Sequence, residues 1–435
     1  MKSTILLYVL INLIIYSVSA QVPNPALIGY WQNWNDPNSP YIQLDNIDSR
    51  YNIIDIAFAT PHTGTDFQME FIPDQVTPSI LIGQIQTLQS QGKKVIISIG
   101  GATASVSLDN QAERDTFIST MSSILNTYGF DGIDIDLEGS SISVSGGTIA
   151  NPVDTKIINL IEAIKQIMQN YFNANGKRLI LTMAPETAYV QGGLSAYGGI
   201  WGAYLPIIDA LRDSIETLHV QLYNSGSMFG IDGNIYTQGS ADFIVAMTEA
   251  IIQGFNTSGG YFAGLPPSKV AIGLPACTAA GNGFSDTTIV KTAIDYLRGT
   301  GPQPGAYVIT QTNGYQSLRG MMTWSINWDA VNTCESTYQY AENFEKIFGL
   351  STSLLTGNTT IEFLIVSPNP SSEFIEINSN ISDSNCKEIY FFNSLGKCVY
   401  KKIFSSYNES IKISDLPEGI YWIKIQNRFL KFVKQ

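Results

Sequence analysis

Eight short apolar runs, each followed by a helical or loop-like stretch, restrict this chain more than any other feature. They cover residues 26–30, 53–59, 94–99, 132–137, 179–183, 217–222, 270–274 and 320–325. Between them lie segments of helical character, such as 111–128, 154–170 and 241–253. Strand alternating with helix eight times predicts an α/β fold, a (β/α)8 TIM barrel. An open doubly wound sheet would alternate too, but no G-x-G-x-x-G follows the first run.

The fourth run carries the strongest chemical signal. Asp134, Asp136 and Glu138 alternate with Ile133, Ile135 and Leu137. A period of two belongs to a strand, so the acids share one face and the aliphatics the other. Neighbours on that face stand about 7 Å apart. Acids this close in a partly buried site cannot all stay ionised, so at least one should hold its proton unusually well. A solvated edge strand would show the same alternation, but its acidic face should also carry Lys or Arg, and this one has none.

In a barrel of this kind chemistry gathers at the C-terminal ends of the strands. Tyr30 and Trp31 end the first run, with Trp34 close behind, and Phe58 lies near the end of the second. Ser98, Gly100 and Gly101 end the third, Glu138 the fourth, and Met183 and Glu186 mark the fifth. Gln221, Tyr223 and Asn224 close the sixth and Trp324 the eighth. Twin glycines suit backbone kept clear beside a ligand. Aromatic rings at strand ends either cap a core or offer a stacking surface. Glu186 reads equally well as a solvated loop charge.

Composition narrows the partners. The chain has 435 residues, 24 basic and 37 acidic, for a net charge of −13. Nucleic-acid binding would ask for a basic face; an uncharged polysaccharide asks for none. Only two histidines are present, His62 and His219, so a histidine metal site and a Ser-His-Asp triad have few candidates. No metal and no cofactor is expected. Residues 1–20 have a basic start, a short apolar core and small residues at 18–20, the pattern of a signal peptide cleaved before Gln21. No later stretch is long and apolar enough to span a bilayer. Cys277 and Cys334 fall in the main domain, Cys386 and Cys398 in the C-terminal part, and the sequence leaves their pairing open.

The motif Asp131, Asp134, Asp136, Glu138 resembles the D-x-x-D-x-D-x-E signature of the family 18 glycoside hydrolases, complete and on the fourth strand. The resemblance extends to Ser98 through Gly101, Tyr223 and Trp324, spans residues 26–348, and is strongest toward the chitinase D-like bacterial branch. It implies a secreted, monomeric, endo-acting chitinase working on chitin or chito-oligosaccharides by substrate-assisted, retaining catalysis. Glu138 would be the acid and base, with Asp136, Asp134 and Tyr223 completing the catalytic group. Tyr30, Phe58, Met183, Gln221 and Trp324 would bind sugar, while Asp131, Ser98, Gly100 and Gly101 would shape the site. Where many members carry Asp after the sixth-strand tyrosine, this chain has Asn224. An endo-β-N-acetylglucosaminidase acting on N-glycans and a non-catalytic chitin-binding lectin are the alternatives. The connection 275–319 is too short for the inserted domain that deepens the cleft in some members, so an open cleft is expected.

Domains are expected at 24–349 for the barrel, 350–361 for a linker and 362–435 for a small β-sandwich, read from six short alternating runs. Ser-Pro-Asn-Pro at 367–370, the segments 394–397 and 416–421, and the terminal Lys434-Gln435 resemble the sorting domain of type IX secretion. That implies recognition of residues 362–435 by the export machinery and release or display at the cell surface. Trp422 and the scattered tyrosines form no evident aromatic platform for sugar.

Overall fold

The computed structural model describes residues 22–331, 335–349, 364–367, 371–379, 387–393, 396–404, 410–425 and 428–435. The expected signal peptide, the linker, Cys334, Cys386 and the turns at 368–370 and 394–395 lie outside them. The chain divides into two units, residues 1–350 and 351–435.

The first unit is a (β/α)8 barrel. Its strands are β1 (Ala26–Gln32), β2 (Ile53–Pro61), β3 (Lys94–Gly100), β4 (Gly132–Asp136), β5 (Ile180–Met183), β6 (Ile215–Leu218), β7 (Ala271–Pro275) and β8 (Gly320–Trp324). They pair in parallel in the order β7-β8-β1-β2-β3-β4-β5-β6. Parallel bridges from Leu218 to Val270 and from Gln221 to Gly273 join the two ends of that path. β4 is thus flanked on both sides, which excludes the solvated-edge alternative.

The period of two sorts each strand. Outward residues such as Ile133, Ile135, Leu181 and Met183 pack with Phe117, Met121 and Ile164 of the surrounding helices in the main core. Inward residues include Ile28, Tyr30, Ile53, Ile96 and Met322, which fill the barrel itself. The longer helices are α1 (Pro78–Ser90), α2 (Gln111–Tyr128), α3 (Thr155–Asn175), α4 (Leu205–Leu211), α5 (Ala241–Gln253), α6 (Thr287–Leu297) and α7 (Gln339–Phe348). Asn110 caps α2 by accepting from the Glu113 N–H at 3.2 Å, and Gly129 ends it at φ +71°. Between β1 and β2 a short 3₁₀ turn, Leu44–Asn46, stands where a helix is expected, anchored by buried Leu44.

One strand departs from expectation. The sixth ends at Leu218 rather than at Leu222. Beyond Leu218 the chain stays extended, but the N–H groups of His219 and Gln221 bond the carbonyls of Met183 and Pro185, while that of Leu222 bonds Gly273 on the other side. Alternate residues thus still bond opposite neighbours, and Gln221 bridges both Glu186 and Gly273, although the regular strand ends at Leu218. The 276–319 connection holds α6 and no strand among the described residues, as its length predicts.

The second unit is a sandwich of two antiparallel sheets. One comprises Leu364–Ser367, Phe374–Ser379 and Ser410–Lys412. The other pairs Cys398–Phe404, Lys387–Asn393, Gly419–Ile425 and Arg428–Lys434 in that order. Ile375, Ile377 and Ile411 from the first sheet meet Ile389, Phe391, Ile423 and Phe432 from the second. Arg428–Lys434 is a seventh strand that the six expected runs omit; its apolar residues come in pairs broken by basic ones, and it buries Phe432.

Candidate active site

Register on the barrel's inner face builds the site. Ser98 lies opposite Asp134 and Asp134 opposite Thr182, so three strands deliver one polar layer. All three are completely buried. The carboxylate of Asp134 accepts hydrogen bonds from Tyr30 Oη at 2.6 Å, Ser98 Oγ at 2.7 Å and Thr182 Oγ1 at 2.7 Å. Asp136 stands above it, and no hydrogen bond joins the two acids among the described residues. Asp136 turns instead to Gln221, whose Nε2 donates to Asp136 Oδ1 at 2.8 Å, Glu138 Oε1 at 3.0 Å and the Ala184 carbonyl at 2.9 Å. One amide therefore holds both upper acids.

Burial sets the electrostatics. It pushes the Asp136 carboxyl well above the usual range, and the nearby charges of Glu138 and Asp134 add to the effect. The Glu138 carboxyl is raised too, again by burial, against the opposing hydrogen bonds of Gln221 and Asp136. Burial and the charge of Glu138 lift Glu186 to about 7. Tyr223 is 5% exposed, and burial and the charges of Asp136 and Glu138 hold its phenol neutral.

Above the acids lies a cleft of about 730 Å³ whose walls include Asp136, Glu138, Gln221, Tyr223 and Asn224. An aromatic cluster forms its apolar side. Trp324 stacks on Phe58 with ring centres 5.8 Å apart, and Tyr30 and Trp34 meet Trp324 at 5.6 and 6.2 Å. Acids on one side and flat rings on the other suit a polar, uncharged ring with an apolar face.

The glycines act through close approach. A Cβ on Gly100 would come 2.4 Å from the Asp136 carbonyl, and one on Gly101 2.8 Å from the Phe58 ring. Both have positive φ, and the Gly101 N–H bonds the Asp136 carbonyl at 2.7 Å. Gly101→Ala should cost about 1–3 kcal/mol of stability and displace Phe58; a denaturant midpoint equal to that of the unmodified protein would contradict this.

Asp131 sits at the opposite end of β4 with the other parity. Its carboxylate accepts from the Val95 N–H at 3.1 Å and from Gln89 Nε2 at 3.0 Å, tying β4 to β3 and α1. Met183 does not reach the cleft. It is completely buried in the outward-facing core, because residue 182 points into the barrel and residue 183 therefore points away. Its proposed sugar contact is withdrawn.

Several contributors were not evident in the sequence. Tyr204 accepts from the Leu137 N–H at 2.7 Å and lies 3.0 Å from the Leu137 carbonyl, and Tyr189 donates to Gly139 at 2.9 Å. Together they fix the turn that presents Glu138. Neither falls in a motif, and each arrives from the connection after β5. Asn33, Glu70, Ile72 and Asp74 also line the cleft. Asn224 has a left-handed backbone, φ +53°, and its side chain accepts from the Asn282 N–H at 2.7 Å. Cys277 is disulfide-bonded, and Cys398 is a free, exposed thiol.

Comparison with known proteins matches residues 26–356 to the glycosyl hydrolases family 18 and residues 366–435 to a secretion system C-terminal sorting domain. Chitinase D of Niallia circulans is 46% identical over 325 residues, which are 72% of this chain and 61% of that protein. Chitinase Chi52 of Paenibacillus xylanexedens is 46% identical over 310 residues, 70% and 58% of the two chains. The chain thus spans about three fifths of the length of these relatives. The crystal structure of a family GH18 chitinase from Chromobacterium violaceum superposes with a TM-score of 0.66 at 36% identity, covering 74% of this chain and 83% of that one.

Proposed function

The chain belongs to glycosyl hydrolase family 18, and from that premise we propose that it is an exported chitinase hydrolysing β-1,4 bonds between N-acetylglucosamine units with retention. Residues 24–349 carry the reaction, and residues 362–435 serve export through type IX machinery after a signal peptide at 1–20. The observation that carries the proposal is Glu138 and Asp136 held by one amide, Gln221, at the mouth of β4 and facing a wall of aromatic rings.

The chemistry is substrate-assisted. Glu138, whose carboxyl burial raises, gives its proton to the leaving glycosidic oxygen. As that bond breaks, the carbonyl oxygen of the sugar's own 2-acetamido group bonds C1, forming an oxazolinium ion. Asp136 accepts from the acetamido N–H and stabilises the positive charge. Tyr223 donates to the acetamido oxygen and keeps it beneath C1. Trp324 stacks under the ring, with Tyr30 and Phe58 extending that surface. Water then attacks C1 from the face the leaving group vacated, breaking the C1–O bond of the oxazolinium on the opposite face; Glu138 takes a proton back from the water, and the product keeps the β configuration. Gln221 orients both acids rather than only binding sugar. Asp134, saturated by three hydroxyls, supports Asp136 from below.

The pH dependence has a definite sign. The step needs Glu138 protonated, and burial raises that carboxyl above its ordinary 4.5. Activity should therefore persist above pH 4.5 and fall as pH climbs through the raised value. A kcat/KM profile on chitotetraose checks this; an alkaline flank at or below pH 4.5 would contradict it.

Substrate class is tested by incubating the full chain separately with chitohexaose and with a high-mannose glycoprotein. Cleavage of chitohexaose to dimers and trimers is expected. Release of N-glycans with chitohexaose untouched would replace chitin by glycoprotein as the substrate. Binding of chitohexaose without any products would make the protein a lectin.

A further inference from the structure

Beneath the acids, the barrel interior holds two titratable side chains to which the mechanism above gives no part. Asp55 on β2 and His219, just past β6, are both completely buried. Among the described residues, neither oxygen of the Asp55 carboxyl and neither ring nitrogen of His219 has a hydrogen-bond partner. His219 Nε2 instead lies 3.7 Å from Asp55 Oδ2 and 3.5 Å from Asp134 Oδ1, midway between two carboxyl groups. A bare carboxylate with no donor, sealed from water, costs several kcal/mol. The pair therefore carries a proton of its own.

We propose that Asp55 and His219 are positioning residues forming a proton-holding pair, neutral near neutrality, which takes up one more proton from solvent in acid and so places an imidazolium against Asp134. That cation favours the carboxylate form of Asp136 and extends activity to lower pH than the acids alone would allow.

The surroundings agree on the sign. Burial raises the Asp55 carboxyl, and the charge of Asp134 raises it further, so both favour its protonated form. Burial lowers His219, with Asp134 opposing, so the ring accepts its proton only on the acid side. The other ionisable groups facing the imidazole are Tyr30 from β1, edge-on at 6.2 Å, and Asp134 from β4, with Asp136 one step above. β3 and β5 contribute the hydroxyls of Ser98 and Thr182 to the same layer. His219 and Asp55 do not line the cleft, so their effect should fall on kcat and its pH dependence rather than on KM.

The inference rests on the proposed roles of Glu138 and Asp136, and its test separates the two. With the full chain on chitotetraose, His219→Gln should move the acid flank of the kcat profile upward by about one pH unit, a loss of about tenfold at a fixed pH on that flank. KM should stay within about twofold, and the alkaline flank should not move. Asp55→Leu, which removes one acceptor of the imidazolium, should shift the acid flank in the same direction. Because the chain has only two histidines, ¹⁵N-histidine labelling gives two imidazole signals. The buried one should gain its proton across the acid flank, and this can be read on the unmodified protein should either variant fail to fold. An active His219→Gln enzyme with an unmoved acid flank, or a buried ring neutral throughout it, would overturn the proposal. So would loss of activity in EDTA restored by a divalent cation, because Asp55, Asp134 and His219 would then be holding a metal. Failure of the unmodified chain to cleave chitotetraose would instead overturn the assigned function.

Discussion

Glu138→Gln should lower kcat on chitotetraose by about three to four orders of magnitude while leaving the affinity for chito-oligosaccharides within about threefold. The reason is specific to the geometry. A glutamine fills the same space at the cleft wall and can still meet Gln221, so the site keeps its shape. It has no proton of suitable acidity to give the leaving oxygen. Binding depends on the rings of Trp324, Phe58 and Tyr30, which the substitution does not touch. Titration calorimetry beside a product assay separates the two effects. Activity retained within tenfold would remove Glu138 from its role. Binding lost together with activity would show that the substitution had disturbed the cleft.

Asp136→Asn should cost about two to three orders of magnitude in kcat. Asp136 differs from Glu138 in that it moves no proton to the leaving group; its charge faces the cation that forms. Asparagine keeps an oxygen for the acetamido N–H but supplies no charge, and its amide N–H would compete with the donor of Gln221. Orientation and electrostatic stabilisation are lost together. Single-turnover rates on chitohexaose give the magnitude. A rate within threefold of the unmodified enzyme would show that the acetamido group is held and stabilised by something else.

Much of this arrangement was legible in the sequence because strand periodicity determines both fold and site. The alternation from Ile133 to Glu138 placed three acids on one face, and that face turned inward. The same rule applied to the fifth strand would have excluded Met183, whose neighbour Thr182 bonds Asp134. Other contributors were hidden because they depend on register between distant segments. Tyr204 reaches the Leu137 backbone across 67 residues. Asp55 is one polar residue in the apolar run 53–59, and only the closed barrel brings it to His219. The last strand of the sandwich was concealed because its apolar residues, Phe429-Leu430 and Phe432-Val433, come in pairs broken by basic ones rather than in alternation. The end of β6 could not be read because residues 219–222 remain apolar-rich and keep backbone bonds to both neighbouring strands beyond the regular ladder.

The most direct test of the central claim is the anomeric form of the first product. Chitohexaose mixed with the full chain in deuterated buffer and followed by proton NMR within the first minutes should release sugars in the β form, ahead of mutarotation. That result requires two displacements at C1, and with no second side-chain carboxylate proposed as nucleophile, the acetamido group supplies the first. Initial release of the α form would mean a single displacement by water, and the substrate-assisted account would be wrong.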